Sequence, residues 1–167
     1  MFRLLLLYCA SALDMSRRSL LYSSSAAMVP KSQSYVKSNP ERTFYFYGPV
    51  DEESCFLLCR ALEDFEPSQE PIHLHIQSTG GNLMPTFNVV DTMERLESPV
   101  YTYIDGYAAS AATLISVSGT KRYMGKRSLM LLHQLSGQNE GTYSYMKEEM
   151  SNMDTIMNYV KDIYLTH

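Results

Sequence analysis

The sequence has no surplus of positive charge. Its 14 Lys and Arg residues are outnumbered by 18 Asp and Glu, for a formal charge of −4. The cations are scattered rather than grouped into a patch, so a nucleic-acid partner is not expected. Cysteine is scarce as well, with three in 167 residues. Cys9 lies in an N-terminal apolar run, while Cys55 and Cys59 sit four apart on a predicted helix with no His or Cys cluster nearby. They read as small core residues, which leaves neither a disulfide framework nor a metal site. The apolar run in "MFRLLLLYCASA" is too short to cross a bilayer, so no membrane span is expected. What remains is about one domain, long enough to bury a core without metal or disulfide staples.

The first 40 residues differ in kind from the rest. "MFRLLLLYCASA" joins a basic residue, a short apolar run and a small-residue Ala10-Ser11-Ala12 site, the layout of a secretory signal. "LDMSRRSLLYSSSAAMVPKSQS" follows, rich in Ser, with Arg17 and Arg18 and a single acid, Asp14. That is the composition of a transit sequence. Together they resemble a bipartite plastid address, with a mitochondrial presequence or a plain disordered tail as the alternatives. Residues 1–40 are therefore expected to be a targeting or disordered segment, and 41–167 the folded domain.

From Thr43 the pattern is regular. "TFYFYGPV" reads as a strand stopped by Gly48-Pro49, and Asp51 as the N-cap of a helix burying Cys55, Leu58, Cys59, Leu62 and Phe65. "PIHLHIQS" alternates Ile72, Leu74 and Ile76 with His73 and His75, a strand with one buried face that runs into Thr79-Gly80-Gly81. Leu83, Phe87, Val90 and Met93 or Leu96 mark a second helix, ended by Ser98-Pro99. "VYTYID" is the next strand, broken at Gly106 before an alanine-lined helix that opens at Ser110. "KRYM" and "SLMLLHQ" are further short strands. The alternation predicts an α/β domain with largely parallel strands and ligand sites at their carboxyl ends. Last comes a long helix with a narrow stripe of Met146, Met150, Met153, Met157, Val160 and Tyr164, suited to packing on another helix. No Gly, Asn or Pro terminates it.

Two strand-to-helix junctions carry the chemistry-bearing residues. Gly80 and Gly81 lack side chains, which lets a substrate backbone approach and leaves amides free to donate. Ser110 stands where a helix begins, beside unpaired N–H groups and the positive end of the dipole. The amides of Gly81 and Ala111 are candidates to converge on a tetrahedral oxyanion. His133 closes "SLMLLH" and emerges at a strand's carboxyl end, where it could take the serine proton. Ser and Gly at a helix start also serve plain capping and packing, and a lone His is commonly structural. His73, His75 and His167 carry less weight than His133.

"HIQSTGGN", "VVDTMERLESPVYTYIDGYAASAATL" and "LMLLHQLSG", in this order and at these separations, resemble the proteolytic subunits of the Clp proteases, the ClpP-type serine peptidases. The resemblance runs from about Arg42 to the C-terminus. It implies an α/β domain of the ClpP/crotonase-like fold, built of repeated β-β-α units with a long C-terminal handle helix. By the same resemblance Ser110 is the nucleophile, His133 the general base, and Gly80, Gly81 and Ala111 the oxyanion and substrate-binding backbone. It further implies homo- or hetero-oligomeric rings, a tetradecamer in the family, an AAA+ ATPase unfoldase as partner, unfolded polypeptides as substrate, and no metal or organic cofactor. The chain departs from the family in four places. Thr79 replaces the Pro before the glycines, Ala112 replaces a glycine near the serine, and the Ser-to-His segment is two residues shorter around "GTKRYM", in an expected hairpin region. The family's third triad member, an Asp beyond the long helix, has no match, so the chain is expected to be truncated before it, with Asp154 and Asp162 left as surface acids. A catalytically impaired structural subunit of a mixed Clp ring is the alternative. A crotonase-type acyl-CoA enzyme is a third reading.

Overall fold

A computed structural model describes residues 40–65, 67–138 and 140–167. The expected address and Cys9 lie outside the described residues. The elements run β1 (Thr43–Tyr47), α1 (Glu52–Glu63), β2 (Ile72–Ser78), α2 (Leu83–Arg95), β3 (Val100–Ala109), α3 (Ala111–Val117), β4 (Lys121–Met124), β5 (Leu129–Leu131) and α4 (Tyr143–Thr166). This is the anticipated α/β fold with a long C-terminal helix. A β-β-α unit is seen in β4, β5 and α4, whereas the first three strands are each followed by one helix.

All strand pairings are parallel, in the order β1-β2-β3-β4, with β5 also on β3. Each step adds the next strand on the same side, so right-handed crossovers place α1, α2 and α3 on one sheet face. That face carries Phe46, Leu74, Ile76, Val100 and Ile104, which join Cys55, Leu58, Leu62, Val89 and Ile115 in the core. Burying a Leu or Ile side chain is worth about 1.5–3 kcal/mol, so this face supplies most of the cohesion. Asp51 caps α1 as expected, its Oδ1 accepting from the Ser54 N–H at 2.8 Å while Ser54 Oγ accepts from the Asp51 N–H at 3.1 Å. Cys55 and Cys59 are free and buried. Burial pushes the Cys55 thiol up to about 11.

Four expectations need correction. First, β3 does not break at Gly106 but passes through it in a bulge. Ile76 pairs with Ile104 and Ser78 with Ala108, so three residues of β3 oppose one of β2, and Gly106 takes φ 92°. Second, "GTKRYM" is no hairpin, because α3 returns the chain to lay β4 parallel to β3. Third, the α2 stripe is Thr86, Val89, Val90 and Met93, while Phe87 is half-buried and meets Tyr159 of α4 edge-on at 6.1 Å. Fourth, the half-buried stripe of α4 also includes Ile156 and Ile163, while Met146 and Met150 are exposed on the single chain, at 38 % and 66 %, as a contact with another helix would leave them.

The histidines of β2 are also less solvated than simple alternation implies. On the sheet face away from α1–α3, Tyr45, His75, Tyr103 and Tyr123 stand in register on four strands and stack at 5.0, 4.6 and 4.8 Å. His73, one row over, is 2 % exposed, with Nδ1 2.8 Å from the Tyr103 hydroxyl.

Burial first, and neighbouring His75 second, lower the His73 pKa from its ordinary 6.5. Below 6.5 the unfolded chain binds a proton that the folded chain does not take up until a lower pH. Stability should therefore fall as pH drops through that window. Thermal-unfolding midpoints measured from about pH 8 to about pH 5 should show His73→Gln losing less on the acid side than the parent chain. Equal slopes for the two proteins would exclude His73 as the source.

Candidate active site

Ser110 is the sole non-glycine with positive φ among the described residues, at φ 53° and ψ −127°. Such a conformation costs about 1–3 kcal/mol and persists only where its surroundings hold it. Here the Ser110 N–H donates to the Leu131 carbonyl at 2.8 Å. The Ser110 carbonyl accepts from the Thr113 N–H at 2.9 Å and from Thr113 Oγ1 at 2.5 Å. The side chain makes no capping hydrogen bond. A serine placed here for capping would spend its hydroxyl on the first turn of α3. This one leaves the hydroxyl uncommitted at the end of a strand.

The glycine turn is pressed against that bend. A Cβ on Gly80 would stand 2.4 Å from the Ala109 carbonyl oxygen and 2.7 Å from Ser110 Cβ, and φ there is 86°. Gly81 has its own constraint, since a Cβ would lie 2.1 Å from the Val50 carbonyl oxygen. Val50 bridges this segment in parallel fashion, its N–H donating to the Gly80 carbonyl at 3.0 Å and its carbonyl accepting from the Asn82 N–H at 2.8 Å. That pattern uses the neighbours of Gly81 and turns the Gly81 amide to the side opposite Val50. Thr79 removes the fixed φ of a proline, but the turn is held otherwise: buried Ser78 accepts the Gly80 N–H on Oγ at 3.0 Å.

Gly81, Ser110, Ala111 and His133 border one cleft of about 330 Å³, whose apolar wall includes Met84, Leu114, Ile156 and Val160. Gly80 lies behind, buried under the serine bend. Ala111 opens α3, where a helix leaves its first amides without intrahelical partners. His133 follows β5 by two residues and is exposed. Its Nδ1 lies 2.7 Å from the Gln134 carbonyl oxygen. A carbonyl can only accept, so Nδ1 carries a proton, and in the neutral imidazole the lone pair is left on Nε2. Among the described residues neither the Ser110 hydroxyl nor His133 Nε2 has a hydrogen-bond partner, and no carboxylate contacts His133. Asp154 and Asp162 are exposed on α4.

The bulge in β3 is what brings β5 and His133 into place. Between β4 and β5 the edge of β3 would be left open at the Gly106 N–H, and the Ile104 carbonyl would have only the Gly125 N–H, at 3.1 Å. Ser128 closes it, donating from Oγ to the Ile104 carbonyl at 2.8 Å and accepting the Gly106 N–H at 3.0 Å. Nothing in the local residue pattern points to this stitch. Nor does it reveal Thr113 and Tyr164, whose hydroxyls are hydrogen-bonded across 51 positions of sequence. Thr113 reads as one more small residue in an alanine-rich helix, and only the seat of α4 gives its hydroxyl a second partner besides the Ser110 carbonyl.

Fold and site together define an α/β protein that gathers Gly81, Ser110, Ala111 and His133 around one cleft at the carboxyl ends of parallel strands. Comparison with known families identifies which such protein it is: the model of the Clp protease family matches residues 29–167. The chain belongs to the Clp protease family and is a ClpP-like peptidase, of a kind that in general forms oligomeric rings with an ATPase partner.

Gly80 and Gly48 both have positive φ, but nothing lies within 4 Å of a Cβ on Gly48. Gly80→Ala should therefore lower stability beyond Gly48→Ala by about 1–3 kcal/mol, because steric overlap adds to the shared strain. Denaturant midpoints of the two variants measure this, and equal losses would show that the serine bend does not press on Gly80.

Proposed function

We propose that this chain is a serine endopeptidase subunit that cleaves unfolded polypeptides through an acyl-enzyme. Ser110 Oγ attacks the peptide carbonyl carbon while His133 Nε2 takes its proton. The oxygen that gains negative charge is held by the Gly81 and Ala111 amides. Collapse of the tetrahedral intermediate breaks the C–N bond, and His133 returns the proton to the departing amine. Water, deprotonated by the same imidazole, then hydrolyses the ester and frees Ser110. The observation that carries this reading is the strained serine with an uncommitted hydroxyl, on the same cleft as an imidazole in the accepting tautomer.

The strip from Ser78 to Gly81, bridged to Val50 on one side, would take the substrate main chain on the other as an added strand. Affinity from main-chain bonds suits a broad range of sequences. An AAA+ unfoldase would deliver them to a chamber formed by single or mixed rings. Residues 1–40 would direct the protein to a plastid; a fluorescent fusion of that segment remaining in the cytosol would count against this address.

One observation favours slower chemistry. The acceptor on His133 Nδ1 is a neutral carbonyl, which sets the tautomer but steadies an imidazolium less than a carboxylate would. Without an acid from elsewhere, turnover would lie roughly 10⁴-fold below that of a complete triad. A ring subunit retained for assembly would then be the second reading.

A fluorophosphonate probe on the assembled protein should label Ser110. Ser110→Ala should abolish labelling and reduce peptide hydrolysis by about 10²-fold if His133 has no acid, and by about 10⁶-fold if one completes the triad. Since nucleophile and base act as a unit, combining it with His133→Ala should cost little beyond either single change. Absence of a Ser110-dependent adduct in intact rings would reject the peptidase proposal and leave the structural subunit.

A further inference from the structure

We infer that Thr113, backed by Tyr164 from α4, is a positioning residue that aims the Ala111 amide into the cleft. The inference rests on the acyl-enzyme reading above. Thr113 Oγ1 has one proton and gives it to the Ser110 carbonyl at 2.5 Å. The hydroxyl is thereby left as an acceptor, so in its hydrogen bond with Tyr164 the phenol is the donor. The order of donation is Tyr164 O–H to Thr113 Oγ1, then Thr113 O–H to the Ser110 carbonyl. Each bond polarises the next.

The carbonyl at the end of that chain belongs to the peptide plane that carries the Ala111 N–H. The plane is rigid and trans, so its C=O and N–H point in opposite directions. Anchoring the oxygen therefore sets the direction of the amide at the other edge. The Thr113 N–H donates to the same oxygen at 2.9 Å, but a helical amide alone leaves the plane free to tilt. The second, side-chain donor restrains that tilt. Because Ser110 occupies a backbone region that L-residues avoid, relaxation toward an ordinary helix start would rotate this plane.

Tyr164 brings in α4. The C-terminal half of α4, which carries it, is seated at two other points, by Phe87 against Tyr159 and by His167 Nε2 at 2.8 Å from Glu94 Oε1. Ile156, Val160 and Tyr164 border the cleft. The long helix is thus coupled to the oxyanion donor through two hydroxyls, and its seat sets how well that donor is aimed.

The test compares Thr113→Val, Thr113→Ser and Tyr164→Phe in assembled rings, with a fluorogenic peptide and a peptide boronate whose tetrahedral adduct carries the oxyanion. Thr113→Val should lower kcat roughly 10-fold or more with KM within about twofold, short of the 10²–10³ expected for deleting a donor outright. Tyr164→Phe should act in the same direction by a smaller factor, Thr113→Ser should restore the parent rate, and Thr113→Val with Tyr164→Phe should be no worse than Thr113→Val alone. Boronate affinity should weaken in parallel with kcat. Parent-like kcat and boronate affinity in Thr113→Val and Tyr164→Phe, with Ser110→Ala inactive, would overturn the positioning role and leave the peptidase reading intact. If the parent neither turns over the peptide nor forms a boronate adduct, the peptidase reading itself fails and this inference falls with it.

Discussion

Two turns leaving adjacent parallel strands meet so closely that one of them has no space for a side chain. Gly80, after β2, lies against Ala109 and Ser110, at the end of β3, and the site is organised by that contact. It brings the glycine strip to the level of the serine and fixes their separation. It also helps keep Ser110 in a conformation that would otherwise relax. The remaining restraint comes from both edges of the residue: Leu131 holds its amide, and Thr113 holds its carbonyl. A strained residue held at both backbone ends can leave its side chain unbonded, which is the condition a nucleophile needs.

The bulge at Gly106 does the corresponding work along β3. A regular strand would carry its edge partner straight on, but here β4 ends at Met124 and β5 begins afresh at Leu129, with Ser128 satisfying the groups left open between them. β3 has three residues against one on β2, two more than a regular ladder, so Ser110 lies beside Gly80 rather than below it. β5 follows the displaced half of β3, and His133 arrives at the cleft as its continuation. Backbone irregularity, rather than any unusual side chain, brings the three segments together.

Much of this could be read from residue order. The capped α1, the buried face of β2, the parallel alternation and the serine at a strand-to-helix junction all follow from local pattern, because a cap and a period-two apolar run act over a few residues. Where residue order misleads, the partners are distant in sequence. Phe87 is drawn toward Tyr159, and the α4 stripe widens to include Ile156 and Ile163, because the seat of that helix is set by α2 and α3. Likewise His73 and His75 look like the wet side of a strand until Tyr103 of the neighbouring strand covers them.

By itself the sequence determined the class of fold, the order of its elements and which serine, histidine and glycines are chemically able to meet, since period and turn chemistry act over a few residues. The tertiary structure alone decided that Ser110 is strained with its hydroxyl uncommitted, and that the hydroxyls of Thr113 and Tyr164 are joined behind its carbonyl. Those facts depend on hydrogen bonds between groups separated along the chain, and their geometry exists only once the sheet and the last helix are packed.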